Sequence, residues 1–318
     1  MEWWPYTLHS RGSLNAVSQR REFHGALIRV DGGVGCLHPW PEFGDATIGE
    51  QLNLLRVGGT SKVIERGLRM AAVDGEARRR GVSLFADSEI PSCHYSWDQN
   101  QSAEAQMQRV LDEGWRAIKT KGWADRGRTS DSLELLNGLM GDTSVKIRVD
   151  FNSSLAENAF EEWIGGLSCG SRNRLDFVED PFPYDAKQWD AVKTRSGVRL
   201  ALDKQLRGAV EGFDVAVLKP GRREWRELVG ELPSQVKIVM TSAMDHAIGQ
   251  SFAAYETALA WKEVGGCMDL CGLCTEHLFE KDAFFERLRS WGGKLEVDRE
   301  GTGLGFDDVI EGMDWKQL

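Results

Sequence analysis

Arg148-Val-Asp150-Phe-Asn152 closes an apolar, β-branched run, and in an extended strand its three polar side chains share one face because successive residues alternate. Four other stretches repeat the arrangement: Lys119-Thr-Lys121, Val178-Glu179-Asp180-Pro181, Leu202-Asp203-Lys204 and Leu218-Lys219-Pro220. Each reads as the C-terminal tip of a buried strand, where parallel barrels keep their chemistry. A barrel interior accepts charges only with partners, since desolvating an isolated ion costs several kcal/mol. Asp150, Glu179 and Asp203 at consecutive strand ends, flanked by lysines, therefore point to a divalent metal with a proton-transferring amine on either side of a substrate.

Working outward, strand-like runs at 90–97, 115–122, 145–152, 174–181, 198–204, 215–221, 236–242 and 266–273 alternate with helix-like segments such as Ser102 to Glu113, Ser130 to Met140, Leu155 to Leu167 and His246 to Val264. Eight such strands with helical crossovers close a barrel. Residues 1–89 break the rhythm and read as a separate α+β module. Tyr6 to Arg11 and Glu22 to Val30 look like antiparallel strands, Gly32-Gly-Val-Gly35 like a turn, and Thr47 to Leu55 and Lys62 to Arg80 like helices. The tail from Gly292, with Lys294-Leu-Glu-Val297 and Gly301-Thr-Gly-Leu-Gly305, reads as a strand and a glycine-rich loop returning to that module.

A net charge of −10 over 318 residues argues against binding to nucleic acid or anionic membrane. No apolar run reaches the roughly 20 residues of a membrane span, and no export signal opens the chain. The expectation is a cytoplasmic protein acting on a small molecule. Cys267, Cys271 and Cys274 have the spacing of a radical-enzyme iron–sulfur triplet, but they come after seven apparent strands and read better as small apolar residues of the last one. Gly166-Leu-Ser168-Cys-Gly170 has the letters of a nucleophile elbow in the wrong context, after a helix and before a strand, so it reads as a helix C-terminal loop. His38 and His246 read as a packing residue and a helix-opening residue.

Carboxylate oxygens suit Mg2+, or Mn2+, better than zinc. Nearby cations favour a lysine's neutral form, which a general base needs near neutral pH.

The order KxK, RxDxN, EDP, LD and KPG resembles the enolase superfamily, in particular its muconate-lactonising subgroup, over nearly the whole chain. The resemblance implies a (β/α)7β barrel over 90–291 and a capping domain made of 1–89 with 292–318. It implies metal ligands at Asp150, Glu179 and Asp203, an acid/base lysine at Lys121 faced by Lys219, and supporting roles for Lys119, Arg148 and Asn152. Within the subgroup, the short length and the RVDFN form look most like the o-succinylbenzoate synthase family. That implies syn dehydration of 2-succinyl-6-hydroxy-2,4-cyclohexadiene-1-carboxylate to o-succinylbenzoate through an enediolate, in menaquinone biosynthesis, with Ser242 and Met244 binding the succinyl carboxylate. The family's usual acid after the third ligand is Lys204 here. Two other readings suit the same residues: an N-acylamino acid racemase or dipeptide epimerase, and a non-catalytic metal-bearing binding protein. The sequence carries no reading of oligomeric state.

Overall fold

A computed structural model of the chain describes residues 1–14, 18–209 and 211–318. The first module is an antiparallel sheet of β1 (Glu2–His9), β2 (Glu22–Val30) and β3 (Gly33–Leu37), followed by α1 (Ile48–Arg56) and α2 (Lys62–Arg79). β1 starts four residues before the expected Tyr6, because Trp3, Trp4 and Pro5 pair with Ile28, Leu27 and Ala26. The expected turn at Gly32 to Gly35 is confined to Asp31 and Gly32, and the remainder is β3. Its glycines serve packing: a Cβ on Gly35 would stand 2.0 Å from the Gly67 carbonyl of α2, so only glycine lets helix and strand approach this closely.

The second unit alternates strand and helix. It runs β4 (Tyr95–Ser96), α3 (Ala103–Asp112), β5 (Ala117–Lys121), α4 (Arg126–Met140), β6 (Lys146–Asp150), α5 (Glu157–Gly166), α6 (Cys169–Arg174), β7 (Leu175–Glu179), α7 (Ala186–Ser196), β8 (Leu200–Leu202), β9 (Val215–Leu218), α8 (Trp225–Glu231), β10 (Lys237–Met240) and α9 (Ala247–Val264). α4 begins before the expected Ser130 because the Asp125 carboxylate accepts from Arg128 N at 3.2 Å and caps the helix. Ser168 does the same for α6, accepting from Ser171 N at 3.1 Å, so the elbow-like letters are a cap between two helices.

β4 to β10 form one parallel sheet in chain order. The eighth strand expected at 266–273 is reduced to single parallel bridges, Met268 to Ile238, Cys271 to Cys93 and Gly272 to Thr241. Asp269 N and Gly272 N still donate to Ile238 O and Met240 O on one side, and His94 N donates to Cys271 O on the other, each at 2.8 Å. The sheet therefore closes into the α/β barrel the sequence implied. The ladder is interrupted because side chains take both polar groups of Leu270: its carbonyl accepts from Arg148 at 2.6 Å and its amide donates to Asp269 Oδ1 at 2.6 Å. Phe177, Ala201, Val215, Val217 and Val239 pack together as a buried apolar cluster of the sheet. Burial of each larger side chain contributes about 1.5–3 kcal/mol. The six cysteines are free thiols, with Cys271 and Cys274 buried and Cys267 partly so.

After the barrel come a hairpin of β11 (Arg289–Trp291) and β12 (Lys294–Glu296), then α10 (Asp307–Glu311) and β13 (Lys316–Gln317). β13 pairs antiparallel with β1, so the tail completes the first sheet. Asp74 of α2, fully buried, accepts from Val34 N at 2.8 Å and Leu304 N at 2.7 Å, tying the glycine-rich loop to the first module. Arg66 of α2 donates to the Pro220 carbonyl, and Asp45 pairs with Arg222 at 2.6 Å, so the module is fixed to the barrel beside Lys219. No helix among the described residues is long and apolar enough to cross a membrane.

Candidate active site

Lys121, Asp150 and Glu179 occupy one register row across the C-terminal ends of β5, β6 and β7. Asp203 follows β8 and Lys219 follows β9. Around the closed ring, β5 and β9 are separated by β6, β7 and β8 one way and by β10, the bridging segment and β4 the other. Lys121 and Lys219 therefore rise from opposite walls, with the three carboxylates on the arc between them.

Ion pairs knit the row together. Lys121 Nζ donates to Asp150 Oδ2 at 2.8 Å and to Asn152 Oδ1 at 3.2 Å. Lys119 Nζ donates to Glu179 Oε2 at 2.6 Å and lies 3.3 Å from Asp150 Oδ2. Lys219 Nζ donates to Asp203 Oδ2. Burial disfavours the Asp150 anion, but the ammonium groups of Lys121 and Lys119 outweigh it and hold the carboxyl well below its usual range. Glu179 is pushed up to about 7, by burial and then by the Asp150 charge, against the pull of Lys119. Burial works against the Lys119 cation, yet Glu179 and Asp150 raise it above the ordinary lysine value.

Asp180 is buried beside this row, where its oxygens accept from the backbone N–H of Asp203 at 3.1 Å and Lys204 at 3.3 Å. It thus sets the chain direction that presents Asp203. Asn152 and Met244, both with φ of 50°, hold left-handed backbone just past strand ends, a strain that packing must sustain. Lys204 Nζ donates to Asn152 O at 2.8 Å and lies 5.8 Å from the Phe43 ring centre, so this lysine spans from the barrel mouth to the loop above it.

A cavity of about 580 Å³ opens over the row, bounded by His38, Trp40 and Phe43 of the first module and by Asp203, Lys204 and Lys219 of the barrel. A smaller lobe of about 220 Å³ shares Lys119, Lys121, Thr241 and Met244 with it. Ser242 is buried behind this wall, bonded to Thr275 Oγ1 at 2.6 Å and accepting from Met244 N at 3.2 Å, so its hydroxyl shapes the loop that carries Met244. Arg148 is fully buried in the same row as Lys119, and its guanidinium turns away from the carboxylate row to Asp176, Asp269, His94 and Leu270 O. His38 packs under the cap with Nδ1 2.9 Å from Tyr6 Oη, and His246 caps α9.

Among the described residues no three acids, histidines or cysteines form a ready-made metal cage. Each carboxylate of the row instead faces an ammonium group. The donor set still fits a hard dication: three carboxylates on neighbouring strands, with no thiolate or imidazole among them. Glu179, raised by burial and then by the Asp150 charge, is a carboxyl whose ionised form a nearby cation would favour. His94, Arg66, Asp45 and Arg222 also bound the site or fix its cap, and the sequence alone gave no sign of them. Their partners lie far along the chain, and no local pattern marks such a pairing.

Comparison with known proteins agrees with this geometry. The family model for the o-succinylbenzoate synthase N-terminal domain matches residues 1–77, and that for the enolase C-terminal domain-like family matches residues 102–218. The chain is 32% identical to an o-succinylbenzoate synthase of Bdellovibrio bacteriovorus, over 99% of this chain and 97% of that protein. Solved structures with the same fold include a mandelate racemase/muconate lactonizing protein from Herpetosiphon aurantiacus, with TM-score 0.75 and 16% identity over 95% of this chain and 96% of that one. A dipeptide epimerase from Methylococcus capsulatus, complexed with Mg and the dipeptide L-Arg-D-Lys, has TM-score 0.73 and 17% identity over 95% and 97% of the two chains. With the relative matched along its whole length and both family models aligned in order, this chain belongs to the o-succinylbenzoate synthase family of the enolase superfamily.

Proposed function

We propose that this protein is a hydro-lyase that dehydrates 2-succinyl-6-hydroxy-2,4-cyclohexadiene-1-carboxylate to o-succinylbenzoate in menaquinone biosynthesis, the reaction for which its o-succinylbenzoate synthase relative is named. The observation that carries the reading is the pair of lysines on opposite walls with Asp150, Glu179 and Asp203 between them. Asp150, Glu179 and Asp203 would hold Mg2+, or Mn2+, which when bound supplies Lewis-acid stabilisation of the negative charge developing on the substrate carboxylate. Lys121, in its neutral form, takes the proton from the carbon α to that carboxylate. The same nitrogen then returns the proton to the departing hydroxyl, so hydrogen and hydroxide leave from one face as water. Lys219 stays cationic beside Asp203 and steadies the ring from the opposite face. Asn152 orients Lys121, and Lys119 neutralises Glu179 and Asp150. Arg148 supports from below, while Ser242 acts by setting Met244 against the substrate. Residues 1–89 with 292–318 would form the cap and 90–291 the barrel, with a small carboxylate, rather than nucleic acid or membrane, as partner in the cytoplasm.

Mixing the protein with the cyclohexadiene substrate and Mg2+ should bleach the diene absorbance, and absence of turnover would sink this reading. The opposed lysines also suit an N-succinylamino acid racemase or dipeptide epimerase, since exchange of an α proton needs a base on each face. Solvent deuterium entering N-succinyl amino acids or dipeptides, without diene bleaching, would favour that alternative. A non-catalytic binder would take up such ligands and exchange nothing.

A further inference from the structure

The buried Arg148 also decides the state of a histidine. A guanidinium only donates hydrogen bonds, so at 2.9 Å from Arg148 the Nδ1 of His94 is the acceptor. The ring hydrogen is therefore on Nε2. His94 is 2% exposed, and its Nε2–H meets no acceptor among the described residues. The ring forms part of the wall of the smaller lobe, beside Lys119, Thr241 and Gly272. Gly272 clears the way for it: a Cβ there would stand 3.0 Å from Nε2 and 2.6 Å from Thr241 Oγ1. The Thr241 hydroxyl is itself turned to Gly272 O at 2.8 Å. Burial, with Arg148 and Lys119 close by, keeps the imidazole neutral against the opposing pull of the Leu270 carbonyl, which already accepts from Arg148 at 2.6 Å.

We propose that His94 is a substrate-binding donor whose Nε2–H reaches an anionic oxygen of a carboxylate ligand seated in the smaller lobe beside Lys119. An imidazole N–H that meets no protein acceptor on a cavity wall is free to donate to a ligand, and the Lys119 ammonium on the same wall favours an anionic one. A neutral donor adds a hydrogen bond without adding a third full charge next to Arg148 and Lys119, which would oppose the positive charge Lys121 gains on taking a proton. Arg148 is then a positioning residue, acting through the tautomer it imposes. The inference rests on the reading of this cavity as a carboxylate site, and it extends that reading to a side chain outside the lysines and the acids.

The test uses the full-length protein with Mg2+. Calorimetry would compare o-succinylbenzoate, N-succinylphenylalanine and the dipeptide L-Ala-L-Glu as probes for wild type, His94→Phe and His94→Gln. His94→Phe should weaken whichever probe the wild type binds by about 10-fold or more, the scale of a hydrogen bond to a charged group. His94→Gln, which keeps an N–H near the same point, should recover most of the loss. Equal affinity for wild type and His94→Phe would overturn the proposal. The imidazole of the wild type gives a second readout that needs no variant to fold. With 15N-labelled histidine, His94 should show the neutral Nε2–H tautomer from pH 5 to 8, and its Nε2 proton should move downfield when a probe binds. An Nδ1–H tautomer, a protonated ring in that range, or no movement on binding overturns it. If the wild type binds none of the three probes, the functional reading fails by itself, and the tautomer measurement still decides the state assigned to His94.

Discussion

Lys119 and Arg148 stand opposite each other in one register row, yet they live in different chemical worlds. Arg148 is enclosed: Asp176, Asp269, His94 and a backbone carbonyl take its hydrogen bonds, and the Phe177 ring lies 4.5 Å from its guanidinium carbon. The lysines above it share carboxylates instead. Asp150 faces two ammonium groups while Glu179 is pushed up to about 7. A closed network of this kind holds a barrel together. An open one, with charges paired only to each other at the edge of a cavity, is ready to exchange those partners for a metal and a substrate.

Four experiments can break or sharpen that contrast, the largest effect first. Lys121→Ala should lower turnover of the cyclohexadiene substrate by about 10³-fold or more, the scale of a lost general acid–base, while the melting temperature changes little; a full-rate variant would remove Lys121 from the mechanism. Arg148→Met should behave in the opposite sense. It leaves Asp176 and Asp269 with Arg199 as their remaining charge partner and the Leu270 carbonyl unpaired, a loss of about 3 kcal/mol, read as a melting temperature lower by on the order of 10 °C. An unchanged melting curve would show that the network is not what closes the barrel.

The third concerns protons and metal. Glu179, with its carboxyl near 7 in the metal-free protein, is increasingly protonated below that pH, and a ligand must lose its proton to bind. Mg2+ affinity measured by calorimetry should therefore fall as pH drops below about 7, by up to ~10-fold per unit for one competing proton, and Glu179→Gln should flatten that dependence. The smallest effect lies at the cavity's far wall. Asp245 is buried with one oxygen unpartnered, and burial raises its carboxyl to about 7 against its own backbone N–H and Arg222. A folded-state value above the unfolded one contributes stability at low pH that is lost as pH rises towards 7. Asp245→Asn should thus raise the melting temperature at pH 8 by a few degrees, with the gain vanishing near pH 4.

Much of this was legible in the sequence because buried parallel strands announce themselves as apolar runs and their charged tips break the pattern. The tips at Lys121, Asp150, Glu179, Asp203 and Lys219 could be read one at a time, and the fold brings four of them to the wall of one cavity, with Glu179 buried next to Asp150 in the register row. Where reading failed, the cause was long-range. β3 looked like a turn because its glycines answer to α2, thirty or so residues away, rather than to local conformation. The eighth strand looked regular because nothing nearby reveals that Arg148 takes the carbonyl of Leu270. RxDxN appeared as one motif, although its arginine and its aspartate serve different networks. His94 was one polar residue in an apolar strand until its partner on β6 gave it an orientation.

The bond between Asp74 and Leu304 has a temporal side. It spans 230 residues of chain, so during synthesis α2 emerges carrying an acid whose second backbone partner does not yet exist. The cap's early helix must wait, its carboxylate hydrated or held by Val34 N and Arg78, while the whole barrel is made. Only when the glycine-rich loop arrives does the acid become fully dry. The lid of this enzyme is begun first and finished last, which makes completion of the barrel a precondition for a closed active site.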